Sequence, residues 1–379
     1  MKGKKWLFRP VTFLLIIALM IPALVASCGD EDGEATLAPG EVIELKVANY
    51  FPAPPPQSSL LEEFCLELEE RTDGRVKVDY FPGGTLLGPT AMFDGVLDGV
   101  ADIGYSHVYY TPGRMPVTEC AGLPLGYPSA WVASQALNDF YMEYKPAEFN
   151  DVVVLWMNTS TPSAIATSDV PIRALEDLQG LTIRAPGLAG EVMKALGGTP
   201  ADNPMPEVYD AIAKGTLDGE SSNYETLNAF KFAEVCNYTT SIWQITHPYP
   251  FYLVMNKDSY AKLPPDIKEI FDNLVGEYKE RFILMWNSID FVGQAAGIRE
   301  GVEFITLSDT EVAKFEAAVE PVIDDYIAAM VEKGFNEAEV EGWIQFITER
   351  IEFWTAKQIA YRIPSAAGPP EVKPEALIP

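Results

Sequence analysis

Histidine and positive charge are what this sequence has least of. Two His in 379 residues leave little material for a multi-histidine metal site. Lys and Arg number 27 against 55 Asp and Glu, a formal net charge of −28. A polyanion repels such a chain, and no basic block stands beyond the N-terminus, so nucleic acid is not a partner. Cysteine is scarce too: there are 4 and no Cys-x-x-Cys pair, which argues against a thiol redox or zinc role. Cys65, Cys120 and Cys236 lie in the main body of the chain, where an odd number allows at most one internal disulfide. Cys65 shares an apolar helical face with Leu61, Phe64 and Leu68 and reads as a buried thiol. Catalytic signatures are missing: there is no Gly-x-Ser-x-Gly, His-Glu-x-x-His, Walker A or Gly-x-Gly-x-x-Gly run. Asp94, Asp98 and Asp102 recur every four residues but lack the close spacing of a calcium loop, and read as a solvated helix face with a cap. No cofactor and no metal is implied.

What the chain has is apolar material. At 48% hydrophobic and 11% aromatic residues it can bury a core, and its length suits two compact units. The N-terminus carries Lys2, Lys4, Lys5 and Arg9, then an apolar run over 11–25 broken only by Thr12 and Pro22. As a helix that run measures about 23 Å, short of the roughly 30 Å hydrocarbon core, which favours a signal peptide over a permanent span. It ends in Leu24-Val25-Ala26-Ser27-Cys28, which looks like a bacterial lipobox. Residues 1–27 are therefore expected to be a lipoprotein signal peptide, Cys28 the lipidated residue and 28–40 an acidic tether. The protein is expected outside the cytoplasm, anchored to a membrane by lipid. Cleavage removes four of the 27 basic residues and none of the 55 acidic ones, taking the net charge to −32.

Strands and helices then alternate. Strands are expected at 44–49, 75–81 and 102–105, with helices at 58–71, N-capped by Ser58, and at 89–97. This βαβαβ order predicts a mostly parallel sheet. Further strands are expected at 152–157, 182–185 and 217–221, with helices at 129–144, 175–179, 190–196 and 207–214. From about residue 265 the pattern is helical, over 265–298, 309–333 and 337–354, and the first of these is long enough to bridge two units. The Pro-rich segment 356–379 reads as an extended, peripheral tail. We thus expect a first lobe over 41–158 completed by 249–275, and a second over 159–248 completed by 276–355.

The most informative stretch is Asp177-Leu-Gln-Gly-Leu-Thr-Ile-Arg184-Ala-Pro-Gly. Arg184 falls at the end of a strand just before a Pro-Gly turn, where a guanidinium meets a crevice. Its planar fork can grip a carboxylate with two charge-assisted hydrogen bonds. From spacing alone, an internal salt bridge to one of the many carboxylates explains it equally well.

Several runs resemble the substrate-binding proteins of tripartite ATP-independent periplasmic (TRAP) transporters. They include Glu70-Arg-Thr-Asp-Gly-Arg-Val-Lys-Val-Asp-Tyr-Phe-Pro-Gly-Gly84, Asp177 to Pro186, Ala195-Leu-Gly-Gly-Thr-Pro200, Glu207-Val-Tyr-Asp-Ala-Ile212 and Leu253-Val-Met-Asn-Lys257. The similarity covers about residues 42–355, in order and in spacing. It implies an α/β, two-lobed, periplasmic-binding-protein-like fold of type II-like arrangement, with a long bridging helix and a helical C-terminus. It also implies that Arg184 anchors a ligand carboxylate, with Tyr50, His107, Met205 and Ser222 at other pocket positions; Ser222 stands where the family commonly has an Asn, for which neighbouring Asn223 can substitute after a small shift.

The sequence departs from the family pattern in one respect that bears on the ligand. Sugar-acid binders show a second Arg about 20 residues before the anchor, where this chain has Ala164. The implied pocket is less cationic, and Tyr50, Tyr105, Trp156, Trp243 and Phe251 are candidates for aromatic walls. The resulting expectation is a non-enzymatic receptor for a monocarboxylate with an apolar or aromatic body, handing it to a TRAP-type permease. A secreted carboxylate-dependent hydrolase or lyase, or a ligand-sensing partner of a membrane receptor, are the alternatives.

Overall fold

The structure is a computed structural model and describes residues 41–245 and 247–377. The signal peptide, the tether and Cys28 lie outside the described residues. Among the described residues no helix is long and apolar enough to cross a membrane.

Period-two burial sets the first strand: β1 (Ile43–Asn49) buries Leu45 and Val47 around exposed Lys46. It lies between β2 (Val76–Phe81) and β3 (Ile103–His107) and is parallel to both. β4 (Val152–Thr159) ends this passage of the chain. The chain then leaves to build a second sheet from β5 (Ala164–Thr167), β6 (Thr182–Arg184), β7 (Thr199–Ala201), β8 (Gly219–Ser222) and β9 (Tyr238–Ser241). It returns as β10 (Pro250–Asn256), and β11 (Glu303–Thr306) completes the second sheet. The strand orders are β2-β1-β3-β10-β4 and β11-β9-β5-β8-β6-β7.

The expectation of a mostly parallel first sheet is corrected. β10 lies between β3 and β4 and runs antiparallel to both. It enters directly from the second sheet, without the crossover helix that would bring it in parallel. In the second sheet β5 is antiparallel to β8 and β9, while β6 is parallel to β7 and β8. The segments that join the sheets bond to each other: Ser160 N donates to Tyr249 O at 3.1 Å, and Tyr249 N to Ser160 Oγ at 3.0 Å.

A third connection is the helix Pro265–Glu300, 36 residues long and about 54 Å at 1.5 Å per residue. Pro at its first turn and Asp266 beside it suit a helix N-terminus, and Gly301 at φ +87° ends it. Its buried stripe runs through Ile267, Phe271, Leu274, Tyr278, Phe282 and Trp286 at three- and four-residue steps. The helices Asp309–Glu332 and Glu337–Tyr361 follow, so the C-terminal part is helical.

Several local expectations change. The first helix spans Pro56–Arg71 and Ser58 does not cap it. Pro56 supplies the preset φ at the first turn, while the Ser58 hydroxyl donates to Phe51 O at 2.8 Å. The segment from 356 is neither extended nor peripheral: the last long helix runs to Tyr361, and Ala366, Ala367 and Val372 are buried. Small apolar side chains let it pack closely, and Asn287 of the bridging helix donates to Pro364 O at 2.6 Å. Cys65, Cys120 and Cys236 are all buried free thiols.

The bridging helix approaches the segment after β8 at Gly293, where an added Cβ would stand 1.9 Å from Tyr224 O and 2.7 Å from Glu225 N. Gly293→Ala should therefore lower stability by about 1–3 kcal/mol through overpacking. Gly276 on the same helix has nothing within 4 Å of its Cβ position, so Gly276→Ala should be neutral or stabilising by up to about 1 kcal/mol. Denaturant midpoints of the two variants against the parent protein check both.

Candidate functional site

Arg184 is the last residue of β6, behind fully buried Ile183. The chain turns away at Ala185-Pro186-Gly187, and Gly187 is required there. Its φ is +58°, and a Cβ would lie 2.6 Å from the Tyr109 ring. The turn leaves the guanidinium 1% exposed. Arg184 Nε donates to Asn203 O at 3.1 Å and a terminal nitrogen to the Tyr110 hydroxyl at 3.3 Å. The Tyr249 ring centroid is 5.4 Å from its Cζ, within cation–π range. Ion pairs among the described residues engage Arg71, Arg75, Arg114, Arg173, Arg281, Arg299 and Arg350, but none engages Arg184. Glu220 pairs with it in the β6–β8 register, yet bonds to the Thr226 hydroxyl instead. Burial alone would pull the Arg184 pKa down; Tyr110, Tyr249, Glu220 and Tyr50 outweigh it and leave it raised. The site therefore holds a charged, buried cation.

Four strands deliver residues at their C-terminal ends to one cavity between the sheets: Tyr50 after β1, His107 of β3, Arg184 of β6 and Ser222 of β8. This is where α/β sheets bind ligands. Phe51, Ser160, Met205, Asn223, Glu225, Phe230, Tyr249, Phe251 and Trp286 complete the lining. The free space is about 20 Å³, little more than one water, so a ring-sized body enters only if the lining side chains move apart. Phe51 packs 5.8 Å from both Phe230 and Trp286, and Phe251 lies 4.8 Å from Trp286. Tyr50 meets Tyr110 edge-on at 5.4 Å. Burial, and then the Arg184 charge, push the His107 pKa well down, so it is neutral at pH 7. Its Nδ1 is buried and unpartnered among the described residues.

Three carboxyls sit together near the cavity. Glu225 lines it, and its Oε1 accepts from Gln57 Nε2. Asp290, on the bridging helix, accepts from Asn223 Nδ2 at 2.9 Å and Glu225 N at 2.8 Å. Burial raises all three: Glu225 to about 8, Glu220 to about 7 and Asp290 to about 6.

Of the residues expected at the site, Tyr50, His107, Arg184, Met205, Ser222 and Asn223 line the cavity. His107 and Ser222 end their strands, which run two residues and one residue past the expected 102–105 and 217–221. Trp156 and Trp243 are corrected, since neither lines it. Trp156 packs away from the cavity under the first and bridging helices, 5.7 Å from Phe64 and 5.0 Å from Phe282. Trp243 is half-buried in a short turn before β10. Tyr105 stands behind Phe251, stacked at 5.7 Å. Glu225, Phe230, Tyr249 and Trp286 were not foreseen, because no local pattern distinguishes them from core residues. Tyr110 was the missed neighbour with a signal, lying three residues past His107 in an aromatic run.

A small closed space around one uncompensated cation is what a receptor for a small anion needs. The chain belongs to the bacterial extracellular solute-binding proteins, family 7 (DctP), whose model matches residues 47–329. Members of this family are solute receptors, not enzymes, and TRAP binding proteins work with membrane permease subunits. A TRAP periplasmic solute-binding protein from Desulfovibrio salexigens is 36% identical, over 82% of this chain and 96% of its own, with a TM-score of 0.70. A marine metagenome TRAP solute-binding protein specific for aromatic acid ligands, solved with metahydroxyphenylacetate, is 27% identical over 82% of this chain and 99% of its own (TM-score 0.77). One from Rhodoferax ferrireducens, solved with copurified benzoate, is 25% identical over 83% and 99% (TM-score 0.77).

The buried carboxyls set a pH dependence. Folding lifts Glu225 from the ordinary value of about 4.3 to about 8, so the folded state keeps a proton that the unfolded chain gives up. The stability this confers is whole below the unfolded pKa and is lost as pH climbs toward the folded one. Melting temperatures should therefore fall between about pH 5 and pH 8.5, and Glu225→Gln should flatten part of that slope; an unchanged slope assigns the loss to other groups.

Proposed function

We propose that this protein is a receptor for monocarboxylates with an apolar or aromatic body, which it carries to a TRAP-type membrane permease. The ligand carboxylate takes the place of the missing counter-ion at Arg184, making charge-assisted bonds that strengthen as the sheets exclude water. Its body lies among Tyr50, Phe51, Phe230, Phe251 and Trp286. His107, Ser222 and Asn223 offer neutral hydrogen-bonding groups. The observation that carries this reading is Arg184 itself, a fully buried charge with no ion-pair partner among the described residues. Such a charge is costly unless something pairs with it. The aromatic acids bound by two similar structures support it, as does Ala164 where a second Arg would favour a sugar acid. We further propose that lipid on Cys28 holds the receptor at the outer face of a membrane through the 28–40 tether.

Mass spectrometry of ligand released by denaturing the purified protein identifies the class directly, and a neutral or polycationic ligand would contradict it. Arg184→Ala should weaken carboxylate binding by about 100-fold or more and abolish ligand-induced thermal stabilisation, with the unliganded melting temperature maintained. Full affinity in that variant would remove the anchor. Cys28→Ser should move the protein from the membrane fraction to the soluble fraction of expressing cells; continued membrane association would exclude the lipid tether.

A further inference from the structure

An Arg184–carboxylate pair leaves Glu225 without an assignment, although it lines the same cavity and is only 4% exposed. Its position is built from both sheets. Gln57, on the first helix after β1, donates to its Oε1, and Asp290 of the bridging helix accepts from its backbone N. Gly293 removes the side chain that would otherwise hold the bridging helix off this segment. The carboxyl is thereby fixed rather than free to swing.

Its surroundings differ from those of Arg184. Arg184 bonds to Asn203 and Tyr110 and lies against Tyr249. Glu225 keeps company with Gln57, Asn223 and Asp290, one helical turn from Trp286. Tyr50 lines the cavity with both groups, so a ligand body resting on its ring lies in the space that both face. Among the described residues no ion pair engages Glu225, and the titratable groups around it are Asp290, Glu220, Tyr50 and Tyr105. Burial, and then Asp290, favour its un-ionised form at neutral pH. An un-ionised carboxyl both donates and accepts, which a hydroxyl can answer in either sense. A hydrocarbon edge leaves it unanswered, and a second carboxylate meets three acidic groups.

We propose that Glu225 is a specificity-determining residue: it hydrogen-bonds a hydroxyl on the ligand body, while Glu220 and Asp290 beside it oppose a second carboxylate. The preferred ligands are then hydroxylated aromatic monocarboxylates, ahead of unsubstituted ones and far ahead of dicarboxylates. This rests on the carboxylate being held at Arg184.

Calorimetric titration of the full chain with benzoate, 3- and 4-hydroxybenzoate and isophthalate tests it. The parent protein should bind one hydroxybenzoate about 10-fold or more tighter than benzoate, and isophthalate about 100-fold weaker. Glu225→Leu should bind benzoate about as well as the parent and lose the hydroxyl preference. Glu225→Gln, nearly isosteric and the safer variant to fold, should keep a hydroxyl preference, because its amide still both donates and accepts. An unchanged hydroxyl preference in Glu225→Leu overturns the proposal, as does its complete loss in Glu225→Gln or equal binding of all four acids by the parent. Binding of none of the four by the parent instead overturns the aromatic monocarboxylate reading beneath it.

Discussion

The arrangement of this molecule turns on one buried charge. A guanidinium taken out of water without a partner is among the costlier things a fold can contain, and Arg184 is 1% exposed. Its neighbours offset the burial without supplying an ion pair. A carbonyl, a phenol and an aromatic face take up part of its hydrogen bonding and charge, and Glu220 stays at a distance set by Thr226. The cavity is tolerable as a protein interior and better with an anion inside it.

Keeping the charge in place requires both sheets. Tyr110 stands just past the end of β3, and its hydroxyl accepts from Met205 N at 2.9 Å as well as from Arg184. Gln57 makes the corresponding contact to Glu225 on another wall. These bonds across the gap flank the aromatic rings, so closure and enclosure of the cation are one event. Two crossing segments and the bridging helix are the covalent paths that join the sheets.

The surface works in the opposite sense to the site. A chain with a net charge of −28 repels anions at long range, although salt screens this beyond about 8–10 Å. Attraction for a carboxylate is therefore local to the cavity, where water is excluded. Overall charge excludes nucleic acid but says nothing about the sign of the ligand.

Much of the frame was legible from neighbouring residues alone. The βαβαβ order, the long helix from Pro265 to its glycine stop, and Arg184 between Ile183 and a Pro-Gly turn are short-range signals, set by backbone preference and burial period. Other features depended on contacts between distant parts of the chain. Gln57 and Glu225 are 168 positions apart and Trp286 bonds to Tyr105 across 181, so nothing local marks them. Trp156 and Trp286 look alike as apolar aromatics, yet one fills the core against Phe64 and the other walls the cavity. β10 inserts antiparallel because the chain returns from the second sheet, which only the closed topology decides. The sequence by itself determined the long helices, about half of the strands and the cation; the tertiary structure decided the short strands that complete both sheets and which rings and carboxyl share the cavity, because that depends on which strand ends and helix faces meet.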